Sequence, residues 1–255
     1  MKNSNVIIEK RRKQLIELIR QKKITSINEL SQSFNVSSMT LRRDCQVLEE
    51  MGQVKITFGK IEAAEDLNFE EETNDPINHI KLKLAAEAAL QIENHQTLFM
   101  NTSSTALLSL DFAKDRTFNL LTNNTRVVNK EHNPHTVIML SGGEVRYPKG
   151  ALTGDSAIEA FSNVRSDLSI IGCSGLDIAT GISTSLIHEA KINSKIIEQS
   201  NKVVLVADYR KIGNPSNFTI GSIDQIDLLI TDIYANPQTI QALEKSGIKV
   251  IQVPV

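Results

Sequence analysis

The chain has no Trp, only three Tyr and eight Phe, and two Cys in 255 residues. With so few aromatics, its cores have to be built from Ile, Leu, Val and Ala. Cys45 and Cys173 cannot make a disulfide framework or a four-thiolate zinc site. No apolar run approaches the roughly 20 residues that span a bilayer. The N-terminus opens on polar and basic residues, without the apolar stretch and cleavage site of a secretory signal. At 40% hydrophobic and 23% charged residues, the composition excludes a disordered or fibrous chain. A cytoplasmic protein with no membrane partner is expected.

The net charge of −2 hides an asymmetry. Residues 1–60 carry 12 basic and 6 acidic side chains, a balance of +6, while residues 61–255 carry 16 basic and 24 acidic, a balance of −8. A basic head on an acidic body points to a polyanion as partner of the head. An ordinary solvated surface remains the alternative on charge alone.

The head reads as a winged helix-turn-helix over residues 1–60. A first helical pattern runs from about Ser4 to Lys22, with Leu15, Leu18 and Ile19 on one face and Arg11, Arg12, Lys13, Lys22 and Lys23 around it. Ser26 with Glu29 has capping-box spacing and opens a short helix through Ile27, Leu30 and Phe34. Asn35-Val36-Ser37 breaks it. A third helix runs from Ser38 to about Met51 on the stripe Leu41, Cys45, Leu48, Met51, and Gly52 ends it. Val54 to Phe58 alternates like a strand, turned by Gly59-Lys60. Opposite Leu41 and Cys45 on the third helix lie Met39, Arg42, Arg43 and Gln46. Arg can bind guanine O6 and N7 bidentately and Gln can pair with adenine in the major groove. Ser37, Ser38 and Thr40 sit at the helix end that reaches bases and phosphates. Lys55 and Lys60 would contact the backbone from the wing.

Val36-Ser37-Ser38-Met39-Thr40-Leu41-Arg42-Arg43-Asp44, then Leu48-Glu49 and Gly52, resembles the signature of the DeoR family of bacterial sugar-metabolism regulators, Val-Ser-x-x-Thr-Ile-Arg-Arg-Asp-Leu followed by Leu-Glu and Gly. The family's wing usually carries Arg-x-His-Gly-Gly-Ala; Lys55 to Lys60 lacks the His and one Gly.

Glu62 to Asp75 holds seven acids and no base. Residues 61–76 read as an acidic linker closed by Pro76, either weakly structured or a solvated helix before the proline. Residues 77–255 read as a Rossmann-like, mostly parallel α/β body. Apolar strands at 97–100, 119–121, 137–140, 168–171, 203–206, 228–230 and 250–253 alternate with helical patterns that begin at Ile80. In such sheets ligands bind at the strands' carboxyl ends. Those ends read Asn101-Thr102-Ser103-Ser104-Thr105, Thr122-Asn123-Asn124, Ser141-Gly142-Gly143, Gly172-Cys173-Ser174-Gly175 and Asp208 to Lys211. Hydroxyls, amides and glycines repeated at one edge suit an oxyanion or polyol. Ser103 to Thr105 also opens a helix whose N–H groups favour phosphate.

The resemblance continues through the body. Lys81-x-x-Leu84-Ala85 is similar to the family's Lys-x-x-Ile-Ala, and Asn101-x-Ser103-Ser104-Thr105 to Asp-x-Gly-Thr-Thr. Thr122-Asn123-Asn124 is similar to Thr-Asn-Ser, and Gly142-Gly143 to Gly-Gly. Ser174-Gly175-Leu176-Asp177 resembles Gly-Ile-Asp, and Ala207-Asp208-Tyr209-Arg210-Lys211 resembles Ala-Asp-Ser-Ser-Lys. The resemblance implies a phosphosugar-sensing domain of the ribose-5-phosphate isomerase and coenzyme A transferase-like fold. It also implies a transcriptional repressor, a homo-oligomer (dimer or tetramer), whose partners are operator DNA and a phosphorylated sugar or sugar acid. The effector site would comprise Lys81, Asn101, Ser103, Ser104, Thr105, Thr122, Asn123, Asn124, Gly142, Gly143, Ser174, Gly175, Asp208 and Lys211. Asn101 stands where the family has Asp and cannot act as a general base. Ser103 stands where the family has Gly.

An enzyme is the competing class. A sugar-phosphate isomerase needs a carboxylate base, and Asp208, Glu189 and Lys191 are its candidates. Asp208 can equally cap a turn, and Glu189 and Lys191 can sit on a solvated helix face. No P-loop, nucleophile elbow or dinucleotide fingerprint is present, so neither catalysis nor a cofactor is expected. His132-Asn133-Pro134-His135 reads as a surface turn without metal-ligand spacing. Cys45 falls on the core face of its helix. Cys173 falls near the expected site and could be redox-reactive.

Overall fold

In the computed structural model the described residues are 11–12, 14–19, 24–34, 36–50, 54–57, 60–63, 76–147 and 149–255, with the side chains at 24, 46–47, 49–50, 55–57, 60, 62–63 and 76 outside that description. The chain divides into two compact units, Met1–Thr73 and Asn74–Val255.

In the first unit, helical backbone at 11–12 and 14–19 (α1) precedes β1 (Ile24–Ser26), α2 (Ile27–Phe34), α3 (Ser38–Glu50), β2 (Val54–Thr57) and β3 (Lys60–Ala63). The Ser26 hydroxyl accepts the Glu29 N–H at 3.3 Å and so caps α2, while the Glu29 carboxylate accepts the Thr25 hydroxyl at 2.8 Å. Such a cap stabilises a helix by about 1 kcal/mol. Leu15 and Ile19 of α1, Leu30 of α2, and Leu41, Cys45 and Leu48 of α3 close on Val54 and Ile61 of the sheet. The strands run antiparallel in the order β1-β3-β2. Two readings change. Lys60 begins a strand instead of completing a turn, and residues 61–63, expected in the linker, belong to β3. The expected helix at 4–10 and 20–22, Met51, Gly52, and linker residues 64–75 fall outside the described residues.

The second unit opens with α4 (Pro76–Ala89). Pro76 begins this helix, four residues before the expected start at Ile80, because proline's fixed φ and missing N–H suit the first helical turn. Seven parallel strands follow: β4 (Thr97–Met100), β5 (Asn119–Thr122), β6 (Val137–Leu140), β9 (Leu168–Gly172), β12 (Val203–Val206), β14 (Leu228–Asp232) and β15 (Lys249–Val253). They lie in the order β15-β14-β12-β9-β4-β5-β6. Neighbouring residues on a strand enter opposite cores. Leu98, Met100, Ile170, Val204 and Ile230 pack with Leu84, Ala88 and Leu107, whereas Phe99, Ile171, Leu205 and Leu229 pack with Phe161, Ile192 and Leu243. Both faces are therefore covered, which is why these strands read as unbroken apolar runs. Phe99 meets Phe161 edge to face at 5.1 Å.

Strand β6 is an exception. Read as buried, it is the sheet's edge, with Val137 51%, Met139 38% and Leu140 41% exposed, because β5 alone pairs with it in the sheet. The body also carries antiparallel strands that the sequence reading did not assign. β7 (Glu144–Arg146) pairs with β8 (Ala151–Thr153), and β10 (Gly175–Asp177) and β13 (Phe218–Gly221) flank β11 (Gly181–Thr184). Helices α5 (Ser104–Leu108), α6 (Asp155–Ser162), α7 (Ile187–Glu198) and α8 (Pro237–Lys245) complete it.

Candidate DNA-reading helix and effector site

Helix α3 separates two sets of side chains. Ser37 caps it, accepting the Thr40 N–H at 3.2 Å, with its hydroxyl 2.8 Å from that of Thr40. The Ser38 hydroxyl lies 3.5 Å from that of Ser31. Ser37, Ser38, Met39, Arg42 and Arg43 are exposed, Thr40 is half-buried, and Met39 reaches 75% exposure. Met39, Arg42 and Arg43 are spaced by three and four residues and so share one face. The side chains of Gln46, Lys55 and Lys60 lie outside the described residues.

On the inner side, Asp44 is buried and takes one guanidinium on each oxygen, Arg11 Nε at 2.7 Å and Arg12 Nε at 3.0 Å. Sequence reasoning left Arg11 and Arg12 as surface charges and gave Asp44 no role. The pair in fact fastens α1 to α3. Removing one partner from a buried ion pair strands the other charge and costs roughly 3–5 kcal/mol.

In the body the strand order reverses between β4 and β9, since β5 and β6 lie to one side of β4 and β12, β14 and β15 to the other side of β9. The carboxyl ends of β4 and β9 therefore flank the crevice where open α/β sheets hold ligands. Asn101 spans it. Its Nδ2 donates to Gly172 O at 2.8 Å and to Asn193 Oδ1 at 3.2 Å, and its Oδ1 accepts Gly172 N–H at 3.1 Å and Ser103 N–H at 3.2 Å. All four hydrogen-bonding positions of the amide are thus used within the protein. The crevice is narrow: a Cβ on Gly172 would stand 2.2 Å from Ser103 Oγ.

Helix α5, expected to present N–H groups to phosphate, is five residues long, and Ser103 Oγ already accepts the Ala106 N–H at 3.2 Å. Such a short helix builds little dipole. Ser104 is exposed and Thr105 is buried.

Beside this loop the structure assembles a group that no motif pointed to as a binding site. Glu189, on α7 one turn before Asn193, is buried rather than on a solvated face. It accepts the Thr102 hydroxyl at 3.0 Å, the Thr184 hydroxyl at 3.2 Å, and Lys149 Nζ at 3.1 Å. Lys191, its expected companion, is exposed.

The remaining expected residues divide. Thr122 donates its hydroxyl to Met100 O at 2.8 Å, and Asn124 Oδ1 accepts the Arg126 N–H at 3.1 Å. Asn123 Nδ2 donates to Leu152 O at 3.1 Å, leaving its buried Oδ1 without a partner. Asp208 is buried. Arg210 binds both its oxygens, at 2.7 and 3.2 Å, with Lys211 Nζ at 3.7 Å. Burial alone would raise its pKa, but Arg210 and then Lys211 more than reverse this and hold it below the usual carboxylate value. Asp208 also accepts the Arg210 N–H at 3.2 Å and so caps its turn.

Other expected residues stand apart from this cluster. Gly142 and Gly143 follow edge strand β6 and are exposed. Gly143 has φ +100°, and a Cβ there would lie 2.3 Å from Thr153 O. Ser174 pairs with Ser185 at 3.3 Å, Gly175 opens β10, and Lys81 Nζ donates to Asn78 Oδ1 at 3.2 Å on α4. Burial pushes the Cys173 thiol up to about 11, against a smaller opposing pull from Lys211. Among the described residues no group of three or more His, Cys, Asp or Glu is placed to hold a metal, and no helix is long and apolar enough to cross a membrane.

Residues 11–66 match the DeoR-like helix-turn-helix domain and residues 78–233 the DeoR C terminal sensor domain. The glycerol-3-phosphate regulon repressor of Escherichia coli is 31% identical over 86% of this chain and 88% of its own length. The HTH-type transcriptional regulator GolR of Listeria innocua is 29% identical, over 94% of this chain and 96% of its own. The HTH-type transcriptional regulator GlpR of Haloferax volcanii is 27% identical over the same shares, 94% and 96%. Among solved structures, a ribose 5-phosphate isomerase A of Methanocaldococcus jannaschii overlaps 52% of this chain and 54% of its own, with TM-score 0.38 and 14% identity. That overlap is too slight to transfer an activity.

Proposed function

The chain belongs to the DeoR family of regulators, and from that premise we propose that it is a sequence-specific DNA-binding repressor of a sugar or sugar-alcohol operon, controlled by a phosphorylated sugar or sugar acid. The observation that carries this reading is the two-sided α3. Arg42 and Arg43 stand exposed with Met39 on one face while Asp44 fixes the opposite face to α1. In this reading Ser37, Ser38 and Thr40 contact phosphates at the helix start, and Gln46, Lys55 and Lys60 add to the interface. One short helix reads few base pairs, so the regulator works as a homo-oligomer on repeated half-sites in the cytoplasm.

Sensing fits the body better than turnover. A general base works best with a pKa near the operating pH, and Asp208 is held below the usual carboxylate range by Arg210 and Lys211. The effector lies across the carboxyl ends of β4, β5, β9 and β12. Thr102 to Thr105, Thr122 to Asn124 and Lys211 offer it hydroxyl, amide and ammonium groups there.

In vitro selection from a random duplex library, with and without pooled sugar phosphates, tests both halves. The expected result is a repeated motif whose enrichment a sugar phosphate alters. Enrichment of no motif under either condition, together with turnover of a sugar phosphate, would replace the regulator by an enzyme.

A further inference from the structure

Glu189 ties three separate segments together: Thr102 after β4, Thr184 at the end of β11, and Lys149 just before β8. Two of its donors are hydroxyls. The third, Lys149, supplies a positive charge, and it is the most open member of the group. The Lys149 side chain is 47% exposed, against 4% for Glu189. An ammonium has three donors, and Lys149 Nζ approaches the two Glu189 oxygens at 3.1 and 3.4 Å, which leaves at least one donor for another acceptor.

The segment carrying Lys149 is fixed in place. Thr125 N–H and hydroxyl both donate to Gly150 O, at 2.9 and 2.8 Å, and Leu152 N–H donates to Asn123 O at 2.8 Å. Lys149 is thereby held over the carboxyl ends of β4 and β5. On the same stitched loop, Asn123 Oδ1 is buried without a donor.

We propose that Lys149 and Glu189 form a reading pair for a phosphorylated polyol, Lys149 taking the phosphate and Glu189 the hydroxyls. This deepens the effector-sensing reading above and rests on it. A phosphate dianion competes with Glu189 for the one half-exposed ammonium of the group. As Lys149 turns to it, the Glu189 carboxylate is left buried with hydroxyl partners only and needs further donors. The hydroxyls of the same ligand supply them, and Asn123 Oδ1 can accept another. Phosphate alone, or a polyol alone, satisfies half of the pair.

The test is titration calorimetry on the full chain. The probes are inorganic phosphate, glycerol 3-phosphate, glucose 6-phosphate, fructose 1-phosphate and the three unphosphorylated parents. For the wild type, one sugar phosphate is expected to bind more tightly than inorganic phosphate, and no parent to bind comparably. Lys149→Met should weaken inorganic phosphate and that sugar phosphate alike, by about tenfold or more, the loss of a hydrogen bond to a charged group. Glu189→Gln should bind inorganic phosphate at least as well as the wild type while losing most of the sugar phosphate's advantage.

Lys149 is half-exposed, so its variant keeps the proposal testable if Glu189→Gln unfolds; thermal midpoints identify that case. Phosphate affinity of Lys149→Met within about twofold of wild type, the scatter of a neutral surface change, overturns the pair and leaves the sensor reading intact. A wild type that binds none of the probes overturns both.

Discussion

Replacing Asn101 by Asp, the residue the family pattern carries there, should destabilise this protein. The side chain changes by one atom, but two donations disappear, those to Gly172 O at 2.8 Å and Asn193 Oδ1 at 3.2 Å. An ionised Asp would also turn an oxygen toward those two acceptors. Each donation lost strands one buried acceptor and costs about 1–3 kcal/mol in all. Ser103 N–H and Gly172 N–H still bind the other oxygen, so the net loss is taken as about 3 kcal/mol. For a unit of this size that lowers the melting midpoint by about 6–12 °C.

The loss should depend on pH with a defined sign. Burial against two acceptors raises the folded-state pKa of the introduced carboxyl group above its unfolded value near 3.9. The folded form then holds its proton more tightly, so the variant's deficit is largest at high pH and shrinks as pH falls through that raised pKa. Calorimetric unfolding of the full chain at pH 8 and pH 5, beside wild type, reads this directly. A midpoint unchanged at both values would refute the bridging role assigned to the Asn101 amide.

Arg43→Ala should abolish specific operator binding in a mobility-shift assay while leaving the melting midpoint unchanged, because the side chain is exposed; retained sequence preference would remove Arg43 from the reading face. Wild-type affinity should fall steeply with salt, as phosphate contacts release counterions, and a flat salt response would rule out such contacts. Asp44→Ala should weaken operator binding without altering which sequence is preferred. It should also lower the stability of the first unit by roughly 3 kcal/mol, which denaturant unfolding followed by circular dichroism would detect. Cys173, with its thiol raised to about 11, should resist iodoacetamide at pH 7.5 and react as pH approaches that value; rapid alkylation at neutral pH would contradict the raised thiol pKa.

The unbroken apolar runs of the sheet strands and the spaced stripe of α3 were legible because both patterns are local. The capping residue Ser26 and the outward set Met39, Arg42, Arg43 follow from spacing alone. What escaped the sequence is non-local or very short. β1 is three residues long, and β10 and β11 are rich in glycine and hydroxyl residues that look like loop. Edge strand β6 has the composition of an interior strand, and nothing in Val137–Leu140 says that a neighbour is missing on one side. Glu189 was named only as a candidate base or a solvated side chain, and its burial among Thr102, Thr184 and Lys149 was the larger miss. Its helix reads as an ordinary mixed face, and its partners Lys149 and Thr102 lie 40 and 87 residues away. Asn101 was found by motif, but its commitment to Gly172 and Asn193 needs the fold.

The division of labour on α3 bears on how such a regulator can change its target. The residues that would meet base edges, Met39, Arg42 and Arg43, contribute nothing to the core of their unit, while Leu41, Asp44, Cys45 and Leu48 hold the helix and face away from solvent. Substitutions in the first set are nearly free of folding consequences. A lineage can therefore retune operator preference one exposed side chain at a time, through intermediates that all fold, provided Asp44 and its two arginines are left alone.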